Sequence, residues 1–149
     1  MEHVQAPDGT RYRRIHTLAD HHVAQLMVLY RNEWWTHDRT VDDVRRMLAH
    51  SDVIVGLEDA ESGVLAAFAR VLTDYTYKAL IFDVIVRPDC RGAGLGHALM
   101  DEICGDARLA SVTHFVLYCR PELKPFYEQW GFTADLADIT LMRRLAVRD

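Results

Sequence analysis

The hydrophobic pattern along this chain switches between a period near 3.6 and a period of 2, and the switches mark its elements. Residues 11–17 read as a short strand. Val23, Leu26, Met27 and Tyr30 then follow the i, i+3, i+4, i+7 stripe of a helix, with Asp20 in place to cap it. Thr40 is placed to cap a second helix, with Asp43 three residues on and Val41, Val44 and Leu48 turned inward. Between the two lies Asn32-Glu-Trp-Trp-Thr-His-Asp38, too aromatic for a plain linker. Residues 53–58 and 64–73 form a hairpin across a turn at 59–63, and Asp74-Tyr-Thr-Tyr77 leads into a third long strand at 79–86. Residues 94–107 are helical in pattern, with Leu95, Ala98, Leu99 and Ile103 on one face. A strand at 114–119, a short helix within 121–130 closed by Gly131, and a last strand at 139–145 complete the chain. The predicted order is β-α-α-β-β-β-α-β-α-β, an α+β fold with a mixed, mostly antiparallel sheet flanked by helices. No repeat, low-complexity tract or linker interrupts it, so residues 1–149 are expected to be a single domain.

Composition narrows the partners. Half of the 149 residues are apolar, enough for a core, and the formal charge is −5, which gives no basic field for nucleic acid. No apolar run approaches the roughly 20 residues of a membrane span, and the first residues have no apolar segment of the kind a secretory signal needs. Cys90, Cys104 and Cys119 are an odd, sparse set, expected as reduced thiols in the cytoplasm. The eight histidines form no H-E-x-x-H pattern and no paired C-x-x-C exists, so no metal is expected. His21 and His22 are adjacent, cannot share one helix face, and read as a solvated helix start.

The segment that carries chemistry is Phe82-Asp-Val-Ile-Val-Arg-Pro-Asp-Cys-Arg-Gly-Ala-Gly-Leu-Gly-His97. A β-branched run stops at Arg87-Pro88, the turn Arg91-Gly92-Ala93-Gly94-Leu95-Gly96 follows, and a helix starts at once. Strand, glycine turn and helix N-terminus in this order gather backbone N–H groups at the positive end of a helix dipole, which suits a phosphate. The spacing excludes two common sites. A dinucleotide fingerprint needs glycine where His97 stands, and the Gly-Lys-Ser/Thr of a P-loop is absent.

Arg91-x-x-Gly94-x-Gly96, preceded by Val-Arg-Pro-Asp, resembles the coenzyme A pyrophosphate loop of the GNAT superfamily of N-acetyltransferases. Phe126-Tyr127-Glu-Gln-Trp-Gly131-Phe132, about 30 residues downstream with a strand between, resembles that family's F-Y-x-x-x-G-F landmark. The resemblance covers about residues 12–145. Trp35, Phe68-Ala-Arg70, Asp74 and Phe82-Asp-Val84 are similar to a branch that includes plant and cyanobacterial serotonin (arylalkylamine) acetyltransferases.

The resemblance implies a GNAT-like acyl-CoA N-acyltransferase fold and transfer of acetyl from acetyl-CoA to a primary amine, without a covalent enzyme intermediate. Backbone amides of Arg91, Gly92, Ala93, Gly94, Leu95, Gly96 and His97 would hold the pyrophosphate. Val84, Ile85 and Val86 would pair with the pantetheine arm where the fourth family strand splays from the fifth, and an N–H near Val84 would stabilise the oxyanion. Tyr127 falls on the family's general-acid tyrosine. An amine with a pKa near that of lysine, about 10.4, must also lose a proton. The Glu or His that several branches carry for this aligns with Leu80 and Phe82, which cannot act. Asp83 is the nearest candidate base, although strict alternation turns it to the opposite face unless a β-bulge redirects it; water is the other option. Trp34, Trp35, Phe68, Tyr75, Tyr77 and Tyr118 lie on segments that would build the acceptor pocket, with Arg70, Asp74 and Asp38 available to select charge. A protein α-amine or lysine as acceptor, a non-catalytic acetyl-CoA sensor, and a nucleotide-binding module remain as alternatives. A homodimer is open, with no interface specified.

Overall fold

The computed structural model describes residues 2–146, which divide into two compact units, one up to Tyr118 and one from Cys119. The first unit is built on a six-stranded sheet in sequential order: β1 (His3–Gln5), β2 (Arg11–Ile15), β3 (Val53–Asp59), β4 (Leu65–Thr73), β5 (Lys78–Val86) and β6 (His114–Leu117). Neighbours are antiparallel except β5 and β6, which run parallel. This is the mixed, mostly antiparallel sheet the sequence predicts.

Helices α1 (Asp20–Arg31) and α2 (Val41–Ala49) cover one face of the sheet. Val23, Leu26, Met27 and Tyr30 of α1 pack with Val44 of α2, Leu65 and Phe68 of β4 and Ile85 of β5. Each such side chain fully buried contributes roughly 1.5–3 kcal/mol. Leu65 and Phe68 share this face, despite their odd spacing, because the β3–β4 register shifts between them: Leu57 pairs with Ala67 and Glu58 with Leu65. Gly56, opposite both Ile15 and Phe68, makes room there. A Cβ on it would meet Ile15 Cγ1 at 2.8 Å. Helix α3 (Leu95–Cys104) lies against β3, β4 and β5 and buries Leu95, Leu99 and Ile103, one stripe at i, i+4, i+8.

Several boundaries differ from the sequence prediction for physical reasons. The first strand of the sheet is His3–Gln5, too short to show a period, and the predicted strand at 11–17 is the second. Asp20 does not cap α1. Ala19 is the N-cap, and its N–H donates to His22 Nδ1 at 3.0 Å. His22 is therefore not a solvated helix start but a buried ring, whereas His21 is exposed. Thr40 caps α2 by accepting from the Asp43 N–H at 3.2 Å, yet Val41 points outward, because only Val44 of that helix is fully buried. Helix α3 stops at Cys104 rather than at 107, and a separate 3-10 turn follows at Ala107–Leu109.

The second unit begins with a 3-10 turn, Pro121–Leu123, that runs into α4 (Lys124–Glu128). Gly131 at φ +86° ends this segment, as its predicted role requires. Phe126 packs edge-on to Tyr127 and Trp130, with ring centroids 4.9 and 5.1 Å apart, and Phe132 lies 6.3 Å from Tyr127. The strand predicted at 139–145 is not formed. Described residues beyond 132 have no regular structure, and Ile139, Leu141, Met142 and Leu145 are exposed. Among the described residues no helix is long and apolar enough to cross a membrane.

Candidate active site

Strand β5 delivers the chain to the glycine loop. The Arg87 N–H donates to Ala66 O at 2.8 Å, Pro88–Cys90 form a 3-10 turn, and Gly92 and Gly94 both take left-handed backbone, φ +84° and +83°. No atom lies within 4 Å of a Cβ built on either, so the backbone angle and not the space calls for glycine. Gly94 is the N-cap of α3, and the first turn of that helix has neither a side-chain cap nor an acidic residue. The N–H groups of Leu95, Gly96 and His97 thus stand at the positive end of the helix dipole.

Beside this loop the sheet opens. The parallel pairing of β5 with β6 runs from Lys78 opposite His114 to Ile81 opposite Leu117 and ends there, while β5 continues to Val86. The rings of Phe82 and Tyr118, 6.1 Å apart, stand where the two strands part. Val84, Ile85 and Val86 therefore present backbone to a gap on the β6 side, next to the uncapped helix. A pyrophosphate on the helix end and an amide-bearing arm along the strand fit this combination.

Asp83 sits at a bulge. Phe68 pairs with Ile85 and Arg70 with Phe82, so Asp83 and Val84 together oppose the single Ala69. Asp83 has φ +57°, left-handed backbone that aspartate tolerates better than most residues. Strict alternation would turn it away from Phe82; the bulge turns it to the α1/α2 face instead. There its carboxylate accepts from Tyr30 Oη at 2.9 Å, Arg70 Nε at 2.8 Å and Arg39 Nη1 at 2.7 Å, with Arg39 Nη2 at 3.3 Å. Burial pushes its pKa up, but the bonds and charges of Arg39 and Arg70 outweigh burial and leave it below the usual carboxylate range. The same burial, with the Asp83 charge, pushes the Tyr30 phenol well above its ordinary value. The Arg39 guanidinium lies 4.7 Å from the Tyr30 ring and 6.0 Å from that of Trp35, and Arg70 lies 4.9 Å from the Phe82 ring.

The other predicted residues divide. Trp34 and Trp35 are at the surface of the α1–α2 connection, 64 % and 37 % exposed. Tyr118 is exposed beside Phe82. Phe68 is fully buried in the α1/α2 core. Tyr75 and Tyr77 lie in the β4–β5 turn, about 26 and 20 Å of extended chain from Asp83. Tyr75 reaches back to Asp52 O at 3.4 Å, so the structure does not bring these two tyrosines to the bulge. Arg91 bonds Glu33 at 2.9 Å and Val86 O at 3.3 Å, tying the glycine loop to the connection after α1. In the second unit Tyr127 is buried, and desolvation, reinforced by Cys119, pushes its phenol up to about 12.

Sequence reasoning missed Tyr30 and Arg39. Tyr30 was legible only as a core stripe residue, and Arg39 only as a loop charge. The signal was the Asp83 departure itself, a carboxylate in an apolar strand that requires partners. It also missed the buried His22–Glu58 pair and the exposed Arg13 that bonds it. His22 Nε2 lies 2.5 Å from Glu58 Oε2, and Arg13 Nε donates to Oε1 at 2.8 Å. His21, His22 and Glu58 bring three potential ligand atoms within 4.8 Å of one another, but both ring nitrogens of His22 already have protein partners.

The profile of the acetyltransferase (GNAT) family matches residues 16–132. The chain belongs to the GNAT acetyltransferase family. It is 41 % identical over 100 residues to serotonin N-acetyltransferase 2, chloroplastic, of Oryza sativa subsp. japonica, a match that covers 65 % of this chain and 50 % of that protein. It is 33 % identical over 99 residues to the uncharacterized N-acetyltransferase ycf52 of Porphyra purpurea, covering 65 % of this chain and 57 % of that protein. The chain thus spans about half the length of the curated relatives it matches. Among solved structures, a GNAT-family protein of Xanthomonas campestris pv. campestris superimposes with a TM-score of 0.75 at 28 % identity, covering 90 % of this chain and 94 % of the other. The family agrees with what the glycine loop and the Phe126-Tyr127 landmark implied, and the likeness to a plant serotonin acetyltransferase agrees with the resemblance carried by Trp35, Phe68-Ala-Arg70, Asp74 and Phe82-Asp-Val84.

Proposed function

We propose that this chain transfers acetyl from acetyl-CoA to the primary amine of a small molecule, by direct attack in a ternary complex. The observation that carries this reading is an uncapped, glycine-entered helix beside a strand edge that loses its partner after Ile81. Acetyl-CoA, when bound, supplies a thioester activated for acyl transfer. The backbone of Arg91, Gly92, Ala93, Gly94, Leu95, Gly96 and His97 holds its phosphates. Val84, Ile85 and Val86 pair with the pantetheine amides, and the Val84 N–H is the donor to the thioester oxygen. Tyr127, with its proton held to about pH 12, is the proton donor to the departing sulfur.

Asp83 is a positioning residue in this scheme. Its oxygens are occupied by three donors and its pKa is lowered, so it has little capacity to take a proton near neutral pH. Water accepts the amine proton. Trp35, Phe82 and Tyr118 flank the bulge and suit an amine with an apolar body. The name of the rice relative, a serotonin acetyltransferase, supports a small amine as the acceptor.

An amine panel with acetyl-CoA, followed by free-thiol release, tests the reading. Turnover of small amines, but not of a peptide amine, is expected. Tyr127→Phe should lower kcat by about 10² or more with acetyl-CoA affinity retained. Coenzyme A binding without turnover of any amine would make the chain a sensor instead.

A further inference from the structure

The cluster around Asp83 is not balanced in charge. One carboxylate faces two guanidinium groups, and Tyr30 stays neutral, so the group sums to +1. Asp83 is 3 % exposed, Arg70 12 % and Arg39 28 %, so the excess positive charge lies on the outer side, toward solvent. Arg70 bonds Asp83 through Nε alone. Its two terminal nitrogens have no hydrogen-bond partner among the described residues, and neither is a sealed, unsatisfied atom. Their fork is held by the Asp83 bond at one end and by the Phe82 ring at the other. A fixed guanidinium fork with two free donors is the geometry that takes a carboxylate bidentately. It stands one strand away from Val84, with aromatic surface from Trp35, Phe82 and Tyr118 around the cluster.

Resting on the acetyl-transfer reading above, we propose that the acceptor is an α-amino acid with an apolar or aromatic side chain, whose carboxylate is bound by the terminal nitrogens of Arg70. The amine and carboxylate of such a substrate share one carbon, so a carboxylate on Arg70 brings the amine to the adjoining bulge. A simple arylalkylamine arrives as a cation with no anionic group and meets a net positive cluster. The carboxylate thus separates amino acids from the decarboxylated amines with the same ring.

The test uses matched pairs on the whole chain: L-tryptophan against tryptamine, and L-phenylalanine against phenethylamine, each with acetyl-CoA. The expected result is a kcat/KM at least about tenfold higher for the carboxylated member of each pair, shrinking as potassium chloride is raised. Arg70→Gln should abolish the preference mainly through KM, and Arg70→Lys should restore part of it. Equal or better turnover of tryptamine by the unmodified chain overturns the inference and leaves acetyl transfer standing. If no compound releases thiol, small-amine transfer falls. Titration of tryptophan and tryptamine into the coenzyme A-loaded protein then decides: tighter binding of the amino acid sustains the carboxylate site, and equal or weaker binding removes it. If Arg70→Gln does not fold, the ratio measured on the unmodified chain decides alone.

Discussion

Two buried carboxylates, Glu58 and Asp83, stand in the same sheet under the same helix and end up doing different things. Glu58 lies where the β3–β4 register slips, and Asp83 where β4–β5 slips. Helix α1 serves both, with His22 in its first turn and Tyr30 in its last. Around Glu58 the charges cancel. His22 Nδ1 accepts from the Ala19 N–H, so the ring is neutral and donates from Nε2, and Arg13 alone balances the carboxylate. Around Asp83 a second guanidinium is left over. A balanced cluster is a tie between β2, β3 and α1. An unbalanced one keeps an attraction for an anion.

That contrast breaks if the two sites respond alike to neutralisation. Asp83→Asn should destabilise the fold by about 3–5 kcal/mol, because it leaves two largely buried guanidinium groups without their anion, and Glu58→Gln by less, because the Arg13 it leaves is exposed to water, both read as a shift in denaturant midpoint. Asp83→Asn should also raise KM for the amine. Glu58→Gln, measured on the folded fraction, should leave kcat and KM where they were. A KM shift of the same size in both would erase the distinction.

Acid sharpens the same comparison. Burial raises both carboxyl pKa values, but His22 and Arg13 at Glu58, and Arg39 and Arg70 at Asp83, outweigh it and leave both lowered. A carboxyl lowered in the folded state contributes stability above its unfolded pKa, about 4, and loses it as pH falls through the folded value. Denaturant melts from pH 7 to pH 3 should therefore show stability falling below about pH 4. Either neutralised variant should fall less steeply by one proton's share. Slopes identical to the unmodified chain would mean that the pairs do not form in solution.

The smallest expected effect is at the glycine loop. Gly94→Ala places a Cβ at φ +83° with nothing in its way, so the cost is backbone strain of about 1–2 kcal/mol. The thermal midpoint should drop by only a few degrees. Coenzyme A affinity, by calorimetry, should fall about tenfold, because the first turn of α3 must reorient. Unchanged affinity would show that the N–H donors there are not used.

The glycine loop, the helical stripes of α1 and α3 and the strands β3, β4 and β5 were legible because each is a local pattern. Backbone geometry at Gly92 and Gly94, or a 3.6-residue period at Leu95 and Leu99, requires no distant partner to be recognised. His3–Gln5 was too short to show a period, and 139–145 has the period of a strand yet forms none. The burial of Phe68 was not legible, because an aromatic residue in a strand reads the same whether its face meets a helix or a ligand.

By itself the sequence determined the glycine loop, the order of most elements and the family, since these depend on residue types at fixed spacing. Only the tertiary structure decided the state of Asp83. Its bulge comes from how β5 registers against β4, and its partners Tyr30 and Arg39 are 53 and 44 residues away. A charge count around one carboxylate depends on which distant side chains the fold delivers, and no spacing along the chain encodes that sum.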